Sequence, residues 1–415
     1  MYRIQPEHGL STLVNHAGEG NHPQHAHLSP IYQTSTFNFP DVDTGAEIIH
    51  DGPQRGYYYT RIANPNADQL AFKIALLEGL DLVRAQPEAA PQTLVAGRVF
   101  ASGMAAISAV VLGRCRAGDT IIAQRAIYGN AFNFINRIAT QLGIQAIWLD
   151  DTLPESWQAA FAAHPGCKLA YAETPSNPTL KVVDLRQIAE ISHQHRAWLA
   201  VDNTFATPYC QRPLSLGADI IVHSTTKYLS GHGALIGGAV VSRHPDFVAT
   251  SMQDMLVHLG GVPGPFDCWL AGLGLRTFEL RMARHCENAE ALSHFLSSHP
   301  RVAAVYYPGL DTFEGYDIAR RQMQRFGGML SFELKGGYQA GVTLLENVQV
   351  ASLAVSLGNV DTLIQHPASM THASVAPDQR LRMGISDGLV RLSVGIENTI
   401  DLINDLDQAL LKIEA

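Results

Sequence analysis

Between residues 79 and 245, short apolar runs alternate with segments whose apolar positions recur at three-and-four spacing. The runs at 99–101, 120–123, 146–149, 169–172, 198–201, 220–223 and 238–241 predict β-strands. Strands interleaved with helices predict an α/β layer, a mostly parallel sheet sandwiched by helices. Upstream, residues 68–79 carry apolar side chains at helical spacing and end in a glycine stop. The stretch 80–97, with Pro87 and Pro91, reads as a surface insertion. Residues 1–63 are rich in His, Pro, Asn, Thr and aromatics, show little helical periodicity, and read as an extended arm for oligomer contacts. Past Pro263 the texture changes. Residues 266–298 predict a long helix with a kink at Gly272 or Gly274, 329–334 a strand, and 398–413 an amphipathic helix. The expected organisation is an arm at 1–63, a large α/β domain at 64–263 and a smaller α+β domain at 264–415.

Composition narrows the class. With 46% apolar and 16% charged residues the chain is globular rather than disordered. A net charge of −9 argues against nucleic acid or anionic lipid as the main partner. The five cysteines, Cys115, Cys167, Cys210, Cys268 and Cys286, are scattered without a Cys-x-x-Cys pair. That usage suits a reducing compartment and offers no structural zinc site. The first residues lack the apolar core of a signal peptide, and no stretch approaches the roughly 20 apolar residues that span a bilayer. The expected location is the cytoplasm.

Chemistry concentrates around one amine. The chain has six lysines. Lys73, Lys168, Lys181, Lys335 and Lys412 stand in polar or helical contexts that suit solvated side chains, whereas Lys227 follows the apolar run 220–223 amid Ser224, Thr225 and Thr226. A lysine just past a buried strand loses solvation, which lowers its pKa and makes it a usable nucleophile. Hydroxyls at Ser224 and Thr226 suit a phosphate beside it, and amine plus phosphate site is what pyridoxal phosphate requires. Asp202 ends the apolar run 198–201, where open α/β sheets place their ligands, and a carboxylate there suits a pyridine nitrogen. Ser102-Gly103-Met104 is a strand-to-helix turn whose free N–H groups suit an anion. Tyr128, before Gly129, reads either as packing or as an aromatic stacked on a ring. Arg391 lies inside an apolar strand-like run, so an anion must meet it, a substrate carboxylate or a structural acid. His22, His25 and His27 lack ligands at metal spacing nearby and read as a solvated arm, so no metal is expected. His223 and His232 flank Lys227 without needing a catalytic role, and His366 and His372 are expected to border the pocket.

Taken together these segments resemble the Cys/Met-metabolism class of fold-type-I pyridoxal-phosphate (PLP) enzymes over nearly the whole chain. The resemblance is carried by Pro30-Ile31-Tyr32-Gln33-Thr34-Ser35-Thr36-Phe37, Tyr57-Tyr58-Tyr59-Thr60-Arg61, Glu173-Thr174-Pro175-Ser176-Asn177-Pro178, Val201-Asp202-Asn203-Thr204, the Lys227 segment and Met370-Thr371-His372-Ala373-Ser374. It implies that Lys227 forms the Schiff base with the cofactor and that Asp202 pairs with the pyridine nitrogen. Gly103, Met104, Ser224 and Thr226 would hold the phosphate, and Tyr128 would stack on the ring and assist the leaving group. Asn177 would lie near the phenolic oxygen, while Ser356 and Arg391 would bind the substrate carboxylate. Tyr59 and Arg61 would reach a neighbouring subunit's phosphate, which implies a homo-oligomer, a dimer doubled to a tetramer.

Within that class the carboxyl half is most similar to the methionine γ-lyases, which implies γ-elimination on a γ-substituted L-amino acid. The alternatives are a γ-replacement synthase or sulfhydrylase, and, from another class, a catalytically silent PLP-binding regulatory protein. The joint presence of Lys227, Asp202, Tyr128 and Arg391 speaks against the last. Two positions depart from the lyase pattern: Asn130 stands where those lyases have a cysteine, and Leu256 where they have a lysine. An amide at Asn130 is expected to favour a polar γ group.

Overall fold

The computed structural model describes residues 5, 7–20, 22–52, 55–370, 380–381 and 384–414. All seven apolar runs form strands: β1 (Ala96–Phe100), β2 (Thr120–Gln124), β3 (Gln145–Leu149), β4 (Cys167–Glu173), β5 (Trp198–Asp202), β6 (Ile220–Ser224) and β7 (Gly238–Ser242). They make one sheet in the order β1-β7-β6-β5-β4-β2-β3. Every neighbouring pair is parallel except the two that β7 makes, with β1 and with β6. Successive residues face opposite sides of the sheet, and both sides are covered. Ile122, Ala170, Leu199, Ile221 and Val241 enter one hydrophobic cluster, and Ile121, Leu169, Ala200, Ile220 and Val240 enter the other. Because both faces of the inner strands β2, β4, β5, β6 and β7 are largely shielded from water, these strands read as continuous apolar runs.

Five more strands follow: β8 (Val302–Tyr306), β9 (Met329–Leu334), β10 (Ser352–Leu353), β11 (Leu363–Gln365) and β12 (Leu389–Ser393). They form a smaller sheet in the order β10-β11-β12-β9-β8. The first cluster continues into it through Leu330, Phe332, Val390 and Leu392, so the large sheet and the small one share packed side chains.

Three expectations need correction. The amino-terminal segment is not uniformly extended, since Leu10–His16 and Val42–Asp51 are helices. Leu10, Leu13 and Val14 recur at helical spacing and are buried, and Asp41 caps the second helix by accepting from Thr44 N at 2.7 Å. The stretch 80–97 is not a superficial insertion: it holds helices Leu80–Ala85 and Pro91–Leu94, and Leu80 and Val83 belong to the core. The long carboxyl-side helix is broken rather than kinked, into Pro265–Leu275 and Phe278–Ser298, just past Gly274. Among the described residues no helix is long and apolar enough to cross a membrane. All five cysteines are free and buried.

Candidate active site

The carboxyl ends of β4, β5 and β6 lie side by side, and each delivers a candidate side chain. Glu173 of β4 pairs in register with Asp202 of β5, and Val222 of β6 with the same Asp202. Antiparallel β7 brings its first residue, Gly238, opposite Ser224, and β1 brings Phe100 opposite Gly238. Gly238 is required there: a Cβ would lie 2.1 Å from Ser102 O. That close approach seats the Ser102 turn against the end of β6.

The turn opens helix Gly103–Arg114. Ser102 caps it, its hydroxyl accepting from Ala105 N at 3.1 Å and its carbonyl from Ala106 N at 3.1 Å. The N–H groups of Gly103 and Met104 precede any intrahelical acceptor and are left for an anion. A Cβ on Gly103 would come 3.0 Å from Ser224 Cβ and 3.3 Å from its hydroxyl oxygen, so glycine keeps a cradle open beside Ser224. Thr226 adjoins this cradle with its hydroxyl engaged by Gly237, donating to the carbonyl at 3.2 Å and accepting from the N–H at 3.0 Å.

The Lys227 Nζ donates to Ser356 Oγ at 2.6 Å. No carboxylate among the described residues pairs with it. Burial, and then the nearby Arg391 cation, lower its pKa to about 8. Ser356 has a φ of +87°, a left-handed conformation unusual for a residue with a side chain. It is fixed between Lys227 and Arg391, whose Nη2 donates to the Ser356 carbonyl.

Arg391 sits in mid-strand on β12, between Ser331 of β9 and Gln365 of β11. Its Nη1 donates to Asn177 Oδ1 at 2.9 Å. Burial lowers its pKa to about 10, which still leaves a cation at neutral pH. Its buried Nε has no partner among the described residues. A buried guanidinium with an open donor suits a carboxylate ligand.

Asp202 is buried and held by neutral groups, accepting from Thr204 N at 3.0 Å and from the Tyr171 hydroxyl at 3.5 Å. Burial pushes its carboxyl above the usual range. No lysine or arginine among the described residues pairs with it. A protonated ring nitrogen is the kind of cation such a carboxylate lacks. Thr204 also ties β5 to β6, its hydroxyl accepting from Ser224 N at 2.9 Å.

Glu173 is a candidate site residue that motif reading passed over. Its carboxylate accepts from Tyr128 N at 2.6 Å and Asn177 N at 2.8 Å, so one buried acid positions both residues. Burial, followed by the charge of Asp202, pushes Glu173 upward. Its signal was available: like Asp202, it is an acid ending an apolar run. The Tyr128 ring is 40% exposed at the mouth, and Asn130 Nδ2 donates to its hydroxyl at 2.9 Å.

The remaining candidates lie apart from this cluster. Tyr59 is exposed, with the Arg61 guanidinium 5.4 Å from its ring centroid and Arg61 Nη1 donating to Val257 O at 3.0 Å. Leu256 is buried in the second hydrophobic cluster rather than presented to Lys227. His366 is fully buried, with Nδ1 2.9 Å from the Ser369 hydroxyl and Nε2 2.8 Å from Asp387 O, so it braces the small sheet instead of bordering a pocket. His372 lies outside the described residues. His232 Nδ1 meets Ser230 O at 2.6 Å, and His22 pairs with Glu19 at 3.0 Å. Among the described residues no group of three His, Cys, Asp or Glu is placed to hold a metal ion.

An anion cradle, a depressed amine and a buried acid that pairs with no lysine or arginine among the described residues together fit a phosphorylated pyridine aldehyde. Comparison with known proteins agrees. The profile of the family described as "Cys/Met metabolism PLP-dependent enzyme" matches residues 11–411. An L-methionine γ-lyase of Fusobacterium nucleatum subsp. nucleatum is 46% identical over 409 residues, 98% of this chain and 98% of that one. A cystathionine β-lyase of Lactococcus lactis subsp. cremoris is 42% identical, covering 97% of this chain and 99% of its own. The structure of cystathionine γ-synthase from Xanthomonas oryzae pv. oryzae in complex with cystathionine superposes with a TM-score of 0.88 at 39% identity, over 97% of this chain and 98% of that one.

Proposed function

The chain belongs to the Cys/Met metabolism PLP-dependent enzyme family, and from that premise we propose that it is a lyase acting on a γ-substituted L-amino acid by γ-elimination. The observation that carries this reading is Lys227: a half-buried amine whose pKa is lowered to about 8, hydrogen-bonded to Ser356 Oγ and paired with no carboxylate among the described residues, beside the open guanidinium of Arg391. The likeness to L-methionine γ-lyases over 98% of the chain favours elimination.

The cofactor is pyridoxal 5′-phosphate, which when bound joins an amine covalently and, with its ring nitrogen protonated, accepts electrons from a neighbouring carbanion. Gly103 and Met104 N–H groups and the Ser224 hydroxyl hold its phosphate, with Thr226 bracing the cradle through Gly237. Asp202 holds the proton at the ring nitrogen, and Asn177, fixed by Glu173 and Arg391, stands by the phenolic oxygen. Tyr128, exposed at the mouth, would stack on the ring. Arg391 takes the substrate carboxylate, with Ser356 alongside, and this fixes the direction of the side chain. The Lys227 amine, neutral above about pH 8, removes the α proton and then a β proton. The Tyr128 hydroxyl delivers a proton to the departing γ group. Asn130, bonded to that hydroxyl, sets the polarity of the space the γ group occupies.

The exposed Tyr59–Arg61 pair extends the reading to the assembly. In it Tyr59 and Arg61 reach the phosphate of a second copy, in a homotetramer built as a dimer of dimers. The arm at 1–63, the cofactor-binding domain at 64–263 and the carboxyl-terminal domain at 264–415 divide the labour, and the free, buried cysteines suit the cytoplasm.

A second reading, γ-replacement with an incoming thiol, is supported by the cystathionine γ-synthase likeness and by the amide at Asn130. One experiment separates the two. The holoenzyme is incubated with methionine, O-acylhomoserine and canavanine, with and without a thiol, and products are identified. Release of a 2-oxo acid and ammonia without thiol is expected. Product that forms only with thiol, as a new thioether, would assign the replacement reaction instead.

A further inference from the structure

Behind Asp202 lies a buried acid–base pair that makes no contact with Lys227, Tyr128 or Arg391. Asn203 and His223 each follow a residue of the in-register pair Asp202–Val222, so both project from the face of the sheet opposite Asp202. There they meet Glu78, the last residue of helix Pro65–Glu78. Glu78 Oε1 accepts from Asn203 Nδ2 at 2.7 Å and lies 2.5 Å from His223 Nε2. The Glu78 and His223 side chains are 0% and 1% exposed. Glu78 Oε2 and His223 Nδ1 have no hydrogen-bond partner among the described residues.

Electrostatics limits the protonation of this pair. A fully buried carboxylate beside a neutral imidazole would leave a net charge in a medium that penalises it by several kcal/mol. A neutral pair is either a carboxylate with an imidazolium, protonated on both ring nitrogens, or a carboxylic acid with a neutral imidazole. The Asn203 amide, donating to Glu78 Oε1, favours the carboxylate, and hence the imidazolium. Tyr171, which hydrogen-bonds Asp202, and Glu173, whose charge interacts with it, are not cations. Burial raises Asp202; the Thr204 bonds and then the charge of His223 oppose that rise.

We propose that Glu78 and His223 form a carboxylate–imidazolium pair that serves as a positioning unit for Asp202, keeping it ionised and so keeping a proton on the pyridine nitrogen. This rests on the reading that Asp202 faces that nitrogen. His223 is then the source of positive charge behind the electron sink, and Glu78 is what allows an imidazolium to exist in the core.

The test compares Glu78→Gln, His223→Gln and Asp202→Asn holoenzymes with the wild type. It reads the pH midpoint of the visible absorbance of bound PLP, kcat and KM on a γ-substituted amino acid, and the melting temperature of each apoprotein. Loss of the imidazolium weakens the pull of the ring on its electrons, so the nitrogen joined to it keeps its proton to higher pH. Both core variants are expected to raise the midpoint by about one pH unit and lower kcat about tenfold, with KM within about twofold. Asp202→Asn should move the midpoint further. A lowered melting temperature with an unmoved midpoint in Glu78→Gln and His223→Gln, while Asp202→Asn does move it, overturns the proposal and leaves a purely structural pair. An unmoved midpoint in Asp202→Asn overturns the placement of Asp202 itself. Should neither core variant fold, a neutron structure of the wild-type holoenzyme decides: deuterium on both His223 nitrogens is expected, and a bare Nδ1 refutes the imidazolium.

Discussion

Beneath the amino-terminal segment, Lys73 is 2% exposed with its Nζ 2.7 Å from Glu19 Oε1, and Arg276 at 3.2 Å and His22 at 3.0 Å share the same carboxylate. At the carboxyl ends of the large sheet, Lys227 is half-buried, its partner is the Ser356 hydroxyl at 2.6 Å and the charge beside it is Arg391. Burial lowers both amines. At Lys73 the Glu19 hydrogen bond and charge push back upward, while at Lys227 the guanidinium pushes further down, to about 8. Burying a lysine therefore does not make it reactive. What separates a structural cation from a nucleophile is whether the protein supplies a carboxylate.

The largest expected effect tests the reactive side of this contrast. Lys227→Ala should remove the visible absorbance of bound PLP and lower turnover by at least about a thousandfold, because both covalent attachment and proton transfer depend on one nitrogen. Lys73→Ala should leave that absorbance in place. If the Lys227 variant retained the band and the Lys73 variant lost it, the assignment of roles would be reversed.

Next in size is the structural side. Lys73→Met removes the main partner of Glu19 and leaves a carboxylate, 11% exposed, with Arg276 and His22 only. Stripping one member from a buried pair destabilises by about 3 kcal/mol. Denaturant unfolding of the apoprotein should show that loss, and adding Glu19→Gln should recover part of it. Recovery identifies the stranded charge as the cause; no recovery would point instead to lost packing of the lysine stem.

A smaller, graded effect follows from the pH dependence of Lys227. Only the neutral amine attacks the cofactor aldehyde, and the neutral fraction grows as pH rises toward the folded-state value of about 8. Incorporation of PLP into apoprotein, followed by its visible absorbance, should quicken about tenfold per pH unit below that value and level off above it. The depressed value also means that the folded chain binds this proton less tightly than the unfolded one. The contribution of Lys227 to apoprotein stability is thus fully present above the unfolded value near 10.5 and is lost as pH falls through about 8. A rate still climbing steeply beyond pH 9 would mean an amine with ordinary solvation.

The same contrast explains what was legible in the sequence. All seven strands of the large sheet could be read from apolar runs: the inner strands are largely buried on both faces, and the edge strands β1 and β3 still pack apolar side chains against the two clusters. Lys227 and Asp202 could be read because each follows such a run, where polar residues have few structural reasons to be. Lys73 could not: helix periodicity placed it in a helix, but nothing local revealed a carboxylate 54 residues upstream that draws its amine into the core. The pair Glu78–His223 is hidden for the same reason, its members lying 145 residues apart. Helix Leu10–His16 did leave a signal, apolar residues at positions 10, 13 and 14, but a single turn of periodicity carries little weight beside a segment rich in turn formers. Interactions set by sequence neighbours were visible, and those set by folding distance were not.

The smallest effect concerns the mouth of the site, where neither lysine acts directly. Asn130 is exposed and donates to the Tyr128 hydroxyl at 2.9 Å. A single partly solvated hydrogen bond contributes about 1 kcal/mol, so Asn130→Ala should alter turnover only about three- to tenfold. The direction depends on the γ group. An amide beside the phenol can also hydrogen-bond an acyloxy or guanidinooxy oxygen or nitrogen, and a thioether sulfur accepts such a bond weakly. Asn130→Ala should therefore lower kcat/KM for O-acylhomoserine or canavanine more than for methionine, with the visible absorbance of the cofactor unchanged. A uniform drop across all three substrates would assign Asn130 to holding Tyr128 for proton delivery, and would leave the choice of substrate to other residues.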